Sequence, residues 1–412
     1  MASLKFTFNG REIRAEPGDT IASALAKAGI LELGRSLKLG KPRGVFCCSG
    51  YCFRCLVTVD GVPNVRACIT PVRDGMVVTS QGGSRLRAAL IQMLDKVGFT
   101  SPQFYFEKLH LPFTAAAAAT ELFRRAVSGA ELPPPAGCEL KAGSCEVDAV
   151  VVGGGAAGLA AARVLAEAGL SVVLLEEKPE PGGMLAKVGF IQELGCSGGK
   201  LADEMVKEAV QAGAEVKRGM LAYAVEGNVL YAVSEAEAVK FKFRGLILAT
   251  GVHELPRAFE GNYLPGVVNV DGFMTIVNRW GIKSFSSVAL LPPPAEGRSW
   301  HLLAEKVAQE AGIEAVKVPE GSAAVGRGRV TGVRTPSGEL IKVDLLVAPG
   351  RLVPALELAK LLGFRGGELS GGACEIRSRV YVAGLAAGAG SVLDALRGGE
   401  EAGKLLAEEL GA

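Results

Sequence analysis

Asp148–Gly183 reads DAVVVGGGAAGLAAARVLAEAGLSVVLLEEKPEPGG, and this stretch is a whole strand, helix, strand unit. An apolar strand ends in Gly153, Gly155 and Gly158 at GxGxxG spacing, a helix of small residues follows, and a second strand, SVVLL, ends at Glu176. Glycine at these places lets backbone approach a pyrophosphate at the positive end of a helix, while an acid closing the second strand accepts hydrogen bonds from an adenosine ribose. A Gly-rich turn that merely packs helix on strand is the plainer reading. The strand, helix and terminal acid in register weigh against it. The candidate nucleotide contacts are Gly153, Gly155, Ala156, Ala157, Gly158, Glu176, Glu177 and Gly183, although Glu177 reads equally well as a solvated strand end.

Toward the C-terminus, FRGLILATG ends in Ala249-Thr250-Gly251. In two-domain flavoproteins such a turn crosses near the nucleotide before the chain leaves for its second domain, which makes Thr250 and Gly251 further candidates. That second domain is expected to start on the strand SVALL, to hold a helix over about 299–311 and a strand IEAVKV, and to carry a hairpin turning at Pro336-Ser337-Gly338. Its first turn, PPPAEG at 292–297, has no glycine fingerprint. Proline removes amide donors where phosphate needs them, so NAD(P)H binding is not expected there.

Toward the N-terminus, RGVFCCSGYCFRCLVTVDGVPNVRAC places Cys47, Cys52, Cys55 and Cys68 at C-x4-C-x2-C-x12-C spacing. Four soft thiolates at these intervals suit a 2Fe-2S cluster. Structural zinc sites usually arrive as two CxxC-like pairs, and only Cys52 and Cys55 form one. Cys48 completes no ligand gap and reads as a loop residue. Around this loop, LKFTF and REIRAE flank an Asn9-Gly10 turn as a hairpin, Pro17 to Thr20 cap a helix, and CLVTVDG and MVVTS supply further strands. A β-grasp ferredoxin-like module fits.

The fold class is therefore α/β: an N-terminal β-grasp 2Fe-2S ferredoxin-like domain over 1–80, then a Rossmann-like core of two dinucleotide-binding domains. The FAD or adenine-nucleotide domain takes 146–260 plus 346–412, and the degenerate second domain is the insert at 261–345. A connector at 81–145 holds two helical stretches, an aromatic run PQFYFEK and a stiff LPPPAG spacer.

With 412 residues, 49% hydrophobic, and a net charge of +2, the chain has ample core and no charge bias toward nucleic acid. Its longest apolar run, Ala149 to Ala162, carries the glycine motif, so no transmembrane segment is expected. The N-terminus does not read as a signal peptide, and nine cysteines in a cluster pattern argue for a reducing cytoplasm. Cys138, Cys145, Cys196 and Cys374 lack ligand spacing. His110 and His301 read as surface or packing residues, and His253, just after the ATG turn, has no partner in sequence that would give it a role. No pair of residues makes a catalytic acid and base.

The stretch RGVFCC...YCFRCLVTVDGVPNVRACITPVRDGMVV resembles the ferredoxin-like subunit of hydrogen cyanide synthase and opine oxidases. Asp148 through Val268, most specifically ATGVHELPRAFEGNYLPGV, resembles sarcosine oxidase alpha subunits and the dye-linked proline and hydroxyproline dehydrogenases. The resemblance implies an electron-transfer subunit of a hetero-oligomer. An amino-acid-oxidase-like FAD flavoprotein would oxidise the amine or imino acid, and this chain would relay electrons to an external acceptor. It also implies FMN at the partner interface as a further cofactor, and peripheral membrane association only through partners. Retention of all four cysteines favours the dehydrogenase branch over the oxygen-using one. Near the C-terminus, VYVAGLAAGAGSVLDALRGGEEAG resembles the late flavin motif, but Gly384 is followed by Leu385 where an acid usually meets the flavin chain. Relatives hold NAD or ATP in comparable folds, so the nucleotide at Gly384 is FAD or one of these. The competing functions are a self-contained NAD(P)H-dependent flavin/iron-sulfur reductase, which needs the nicotinamide site that PPPAEG does not offer, and a nucleotide-binding structural or regulatory subunit.

Overall fold

The computed structural model describes residues 3–36, 39–82, 140–294, 298–366 and 371–412, with isolated positions between these ranges. The connector's helical stretches, PQFYFEK, LPPPAG, His110 and Cys138 lie almost wholly outside the described residues.

In the N-terminal sheet the strands run in the order Arg11–Ala15, Leu4–Phe8, Val77–Ser80, Leu56–Val59, Val62–Arg66. Asn9 and Gly10 both take positive φ, as a tight hairpin turn requires, and Leu4–Phe8 pairs parallel to Val77–Ser80. The helix Ile21–Lys27 crosses this sheet. It starts in a capping box in which Thr20 Oγ1 accepts from Ser23 N–H and Ser23 Oγ accepts from Thr20 N–H, and it buries Ile21 and Leu25 completely. Val62–Arg66, unforeseen because its alternation is weak, is one edge strand, and Arg11–Ala15 is the other.

The strand Lys141–Val152 begins eight residues before the apolar run and pairs in parallel along its whole length with Glu237–Leu248. Val172–Glu176 and Glu215–Arg218 extend the sheet on one side, and Val380–Val382 joins it beside Leu246–Leu248. The helix Ala156–Glu167 follows the glycine motif and lies against the long C-terminal helix Val392–Leu410. Contact is close because Gly399 faces the backbone of Ala157 and Gly403 that of Ala161; a Cβ on Gly399 would overlap the Ala157 carbonyl.

Parallel strands Val267–Val268, Leu345–Val347, Ser287–Leu290 and Glu314–Lys317 form the second dinucleotide domain, backed by the helix Arg298–Ala311. The expected hairpin is present as Gly332–Arg334 against Leu340–Ile341. The two domains are joined by the antiparallel pair Val252–Leu255 and Arg351–Pro354. The β-grasp module does not stand apart. Its core, including Phe6, Leu25 and Val57, is continuous with Phe273, Val277 and Leu290 of the second domain in one buried cluster. Each such large side chain, fully buried, contributes about 2–3 kcal/mol of transfer free energy, so this continuity ties the modules firmly.

Candidate functional site

One cavity of about 720 Å³ runs along the C-terminal ends of the nucleotide-domain strands. The volume lies in the range of cofactor sites. Gly153, Gly155, Ala156 and Ala157 line it, as do Glu176, Glu177 and Gly183, and Thr250, Gly251 and Gly384 close its far wall. Gly158 is the one candidate contact that does not reach it. It sits one turn into the helix, where a Cβ would overlap the Gly153 carbonyl, so its role is close packing of helix on strand.

Gly155 has the opposite surroundings. It is the N-cap of Ala156–Glu167, its φ of −80° suits any residue, and a Cβ there would enter open space within the cavity. The N-terminus of Val392–Leu410, capped by Ser391, opens onto the same cavity. Two helix N-termini thus turn first-turn N–H groups and positive dipole ends toward one space, the environment a pyrophosphate needs. Glu176 is buried at the ribose end, where its carboxylate accepts from Gly154 N–H at 2.8 Å and Lys178 N–H at 2.9 Å. Burial opposes the charge on Lys178, yet the carboxylates of Glu176 and Glu177 raise its pKa. Thr250 is partly structural, since its hydroxyl donates to the Ala355 carbonyl at 2.5 Å. These features fit FAD, with Leu385 supplying an apolar rather than an acidic wall.

The cysteine loop forms the other end of the cavity, through Ser49 and Tyr51. Cys47, Cys55 and Cys68 are buried, and Cys52 is half-buried. Burial pushes the Cys47 thiol up, but hydrogen bonds from Cys52 and Cys68, and from the backbone of Ser49 and Cys52, draw it well below its ordinary value. Cys55 is likewise lowered, chiefly by a hydrogen bond with Cys68. The four sulfurs therefore meet in one run, Cys52 to Cys47 to Cys68 to Cys55. Among the described residues no three His, Cys, Asp or Glu groups surround a single ion-sized position. Four thiols brought together in one loop fit the four protein sulfurs that a 2Fe-2S cluster takes. Cys48 stands outside this run. Burial and the neighbouring charges of Cys47, Cys55 and Asp271 hold its thiol well above the ordinary range.

Between the two ends lie residues that no motif in the sequence marks. Lys187 Nζ donates to Ser49 Oγ and to Asp271 Oδ1, and Ser49 Oγ donates to Asp271 Oδ2, each at 2.5 Å. All three are buried and all line the cavity. Tyr51 accepts from Asn269 Nδ2 at 2.7 Å and its ring lies 5.1 Å from that of His253. Burial, together with the charges of Asp271 and Cys47, keeps the Tyr51 phenol protonated. In the second domain, Arg257 donates to the Pro292 carbonyl and pairs with Glu320 at the end of the Ser287–Leu290 strand.

A β-grasp domain whose cysteine loop, through Ser49 and Tyr51, borders the same cavity as the glycine motif of a two-dinucleotide-domain core defines an iron–sulfur flavoprotein oxidoreductase. Residues 1–83 match the family model for the 2Fe-2S iron-sulfur cluster binding domain, and 148–259 that for FAD dependent oxidoreductase. The chain belongs to the family of sarcosine oxidase alpha subunits and the hydrogen cyanide synthase and opine oxidase subunits. It is 29% identical to sarcosine oxidase subunit alpha of Rhizobium meliloti (strain 1021), over 86% of this chain and 40% of that one. Against hydrogen cyanide synthase subunit HcnA of Pseudomonas aeruginosa it is 39% identical over 80 residues, 19% of this chain and 76% of that one. The chain spans about a third to two fifths of the length of the sarcosine oxidase alpha subunits it matches. Among solved structures, L-proline dehydrogenase from P. horikoshii shares the fold at a TM-score of 0.74 and 21% identity, covering 100% of this chain and 74% of that one. No helix among the described residues is long and apolar enough to cross a membrane.

Proposed function

We propose that this chain is the electron-transfer subunit of a heteromeric FAD-dependent amino-acid or amine dehydrogenase, of proline, hydroxyproline, sarcosine, glycine or opine type. In this reading it relays electrons from a partner flavoprotein, through its 2Fe-2S cluster, to an external acceptor. The observation that carries it is one cavity lined both by Ser49 and Tyr51 of the cysteine loop and by Gly155 and Glu176 of the nucleotide domain. Relatives named as subunits of multi-subunit oxidases and synthases support it.

When bound, FAD supplies two-electron chemistry and the cluster one-electron chemistry. The chain's own residues hold and shield them. Backbone N–H groups at the two helix N-termini take the phosphates, and Glu176 takes the ribose. Cys47, Cys52, Cys55 and Cys68 are the cluster ligands, and Phe46, Leu264 and Val267 exclude water behind Cys47. Of the buried acid and base side chains of the cavity, Lys187 and Asp271 pair with each other and Glu176 holds the glycine loop. Substrate oxidation is assigned to the partner.

The test is an anaerobic visible-absorbance titration of the purified chain with NADH, then NADPH, then dithionite, repeated with the amino-acid-oxidase-like partner and its amino acid. The expected result is bleaching by dithionite alone for the single chain and by substrate in the complex. Bleaching by a nicotinamide makes the chain a self-contained reductase, and a cluster that stays oxidised through turnover makes it a structural subunit.

A further inference from the structure

Ser49, Lys187 and Asp271 come from three separate modules: the cysteine loop, the nucleotide domain and the second domain. Their meeting is organised from behind. The buried Glu254 carboxylate accepts from Asp271 N–H at 3.0 Å and Gly350 N–H at 2.8 Å, Thr275 donates to the Asp271 carbonyl, and Asn278 Nδ2 donates to the Lys187 carbonyl at 2.9 Å. The helix Val270–Met274 that carries Asp271 passes into a π-helical turn, Thr275–Arg279, which also carries Asn278. Such turns recur at functional sites. The trio connects to the candidate ligands through Ser49 itself, whose N–H donates to Cys47 Sγ at 3.4 Å.

A buried ion pair is a weak source of stability, since apolar residues of similar volume often do as well. Three modules converging on one, against the cavity and beside a candidate ligand, call for another reason. A reduced cluster carries one more negative charge than an oxidised one. In a low-dielectric interior, a fixed charge a few ångströms away biases that change strongly.

We propose that Lys187 and Asp271 are positioning residues that set the reduction potential of the cluster through opposed charges, with Ser49 holding both against the cysteine loop. The proposal rests on the electron-relay reading above. Lys187 favours the added electron and Asp271 opposes it, so their balance poises the cluster against the nucleotide end of the same cavity.

The experiment is an EPR-monitored redox titration of the full chain, with cluster and flavin content measured by iron analysis and absorbance and folding checked by circular dichroism. K187Q should shift the cluster midpoint to more negative potential and D271N to more positive potential, while K187R, which keeps the charge, should stay at the wild-type value. Breaking a buried pair is strongly destabilising, and Gln and Asn limit that cost by keeping a polar group beside Ser49; a double variant K187Q/D271N, which leaves no unpaired charge, should return toward the wild-type potential. Shifts of the same sign, or no shift in either variant, overturn the proposal. A shift in K187R as large as in K187Q overturns it independently of D271N, because only packing then matters. A wild-type chain without a reducible cluster overturns the relay reading instead.

Discussion

Cys47 and Cys48 are neighbours with opposed surroundings. Cys47 accepts hydrogen bonds from two thiols, whereas Cys48 is held protonated by burial and by nearby negative charge, on backbone with φ of +51°. Cys47 joins the hydrogen-bonded group of Cys52, Cys55 and Cys68, and Cys48 does not, so the ligand set is read as Cys47, Cys52, Cys55 and Cys68. C52S is accordingly expected to abolish the cluster's visible absorbance and EPR signal. C48A should retain about two irons per chain, and iron analysis of the two proteins checks this. Loss of iron from C48A would move the ligand set. The four-cysteine spacing was legible in sequence because all four lie within one local stretch. Lys187 and Asp271 were not, since Ser49 and Asp271 are separated by 222 positions and neither Lys187 nor Asp271 belongs to a motif. Tyr51 and His253 meet in the same long-range way.

At the scale of elements, the glycine motif separates into binding and packing positions. G155V places its side chain in open cavity, so it should lose FAD, read as absorbance of the purified protein, while the urea midpoint of the FAD-free protein falls by only about 1 kcal/mol, the cost of Val at a helix N-cap. G158V drives a side chain into the Gly153 carbonyl and should lose about 3 kcal/mol. Retention of FAD by G155V would place the nucleotide elsewhere. The strand behind the motif supplies a pH dependence. Asp148 accepts from the Ser171 hydroxyl and N–H and from Arg244, which together bring its pKa from 3.8 to about 2. A folded-state pKa below the unfolded one gives stability that is complete above about pH 4 and lost as pH falls toward 2. D148N should flatten this part of the acid limb, measured by urea unfolding between pH 4 and 2. The strand, helix and terminal acid were readable because they are periodic and adjacent. The early start of Lys141–Val152 was not, because Lys141, Gly143, Ser144 and Glu146 break the apolar pattern, and pairing with Glu237–Leu248 extends the strand regardless.

At the scale of the whole molecule, the β-grasp module is held to the second domain by more than shared core. Arg54, one residue before a candidate ligand, donates to the carbonyls of Asn262 at 3.0 Å and Tyr263 at 2.8 Å and lies over the Phe46 ring. Gly272 fits directly against the Phe46 carbonyl, where no Cβ has room. Hydrogen bonds from a charged donor contribute about 1.5–3 kcal/mol each, so R54A should weaken this docking by about 3 kcal/mol without touching either module's own core. In the wild type, amides of Leu4–Phe8 and of Ser287–Leu290 are expected to exchange with similar protection, because one buried cluster joins their domains. In R54A the N-terminal sheet should open separately, so that its peptides exchange faster by hydrogen-exchange mass spectrometry while those of Val172–Glu176 are unchanged. Uniform acceleration across the chain would mean that Arg54 supports global stability. Unchanged exchange would leave the apolar cluster alone responsible for fixing the cysteine loop against the cavity.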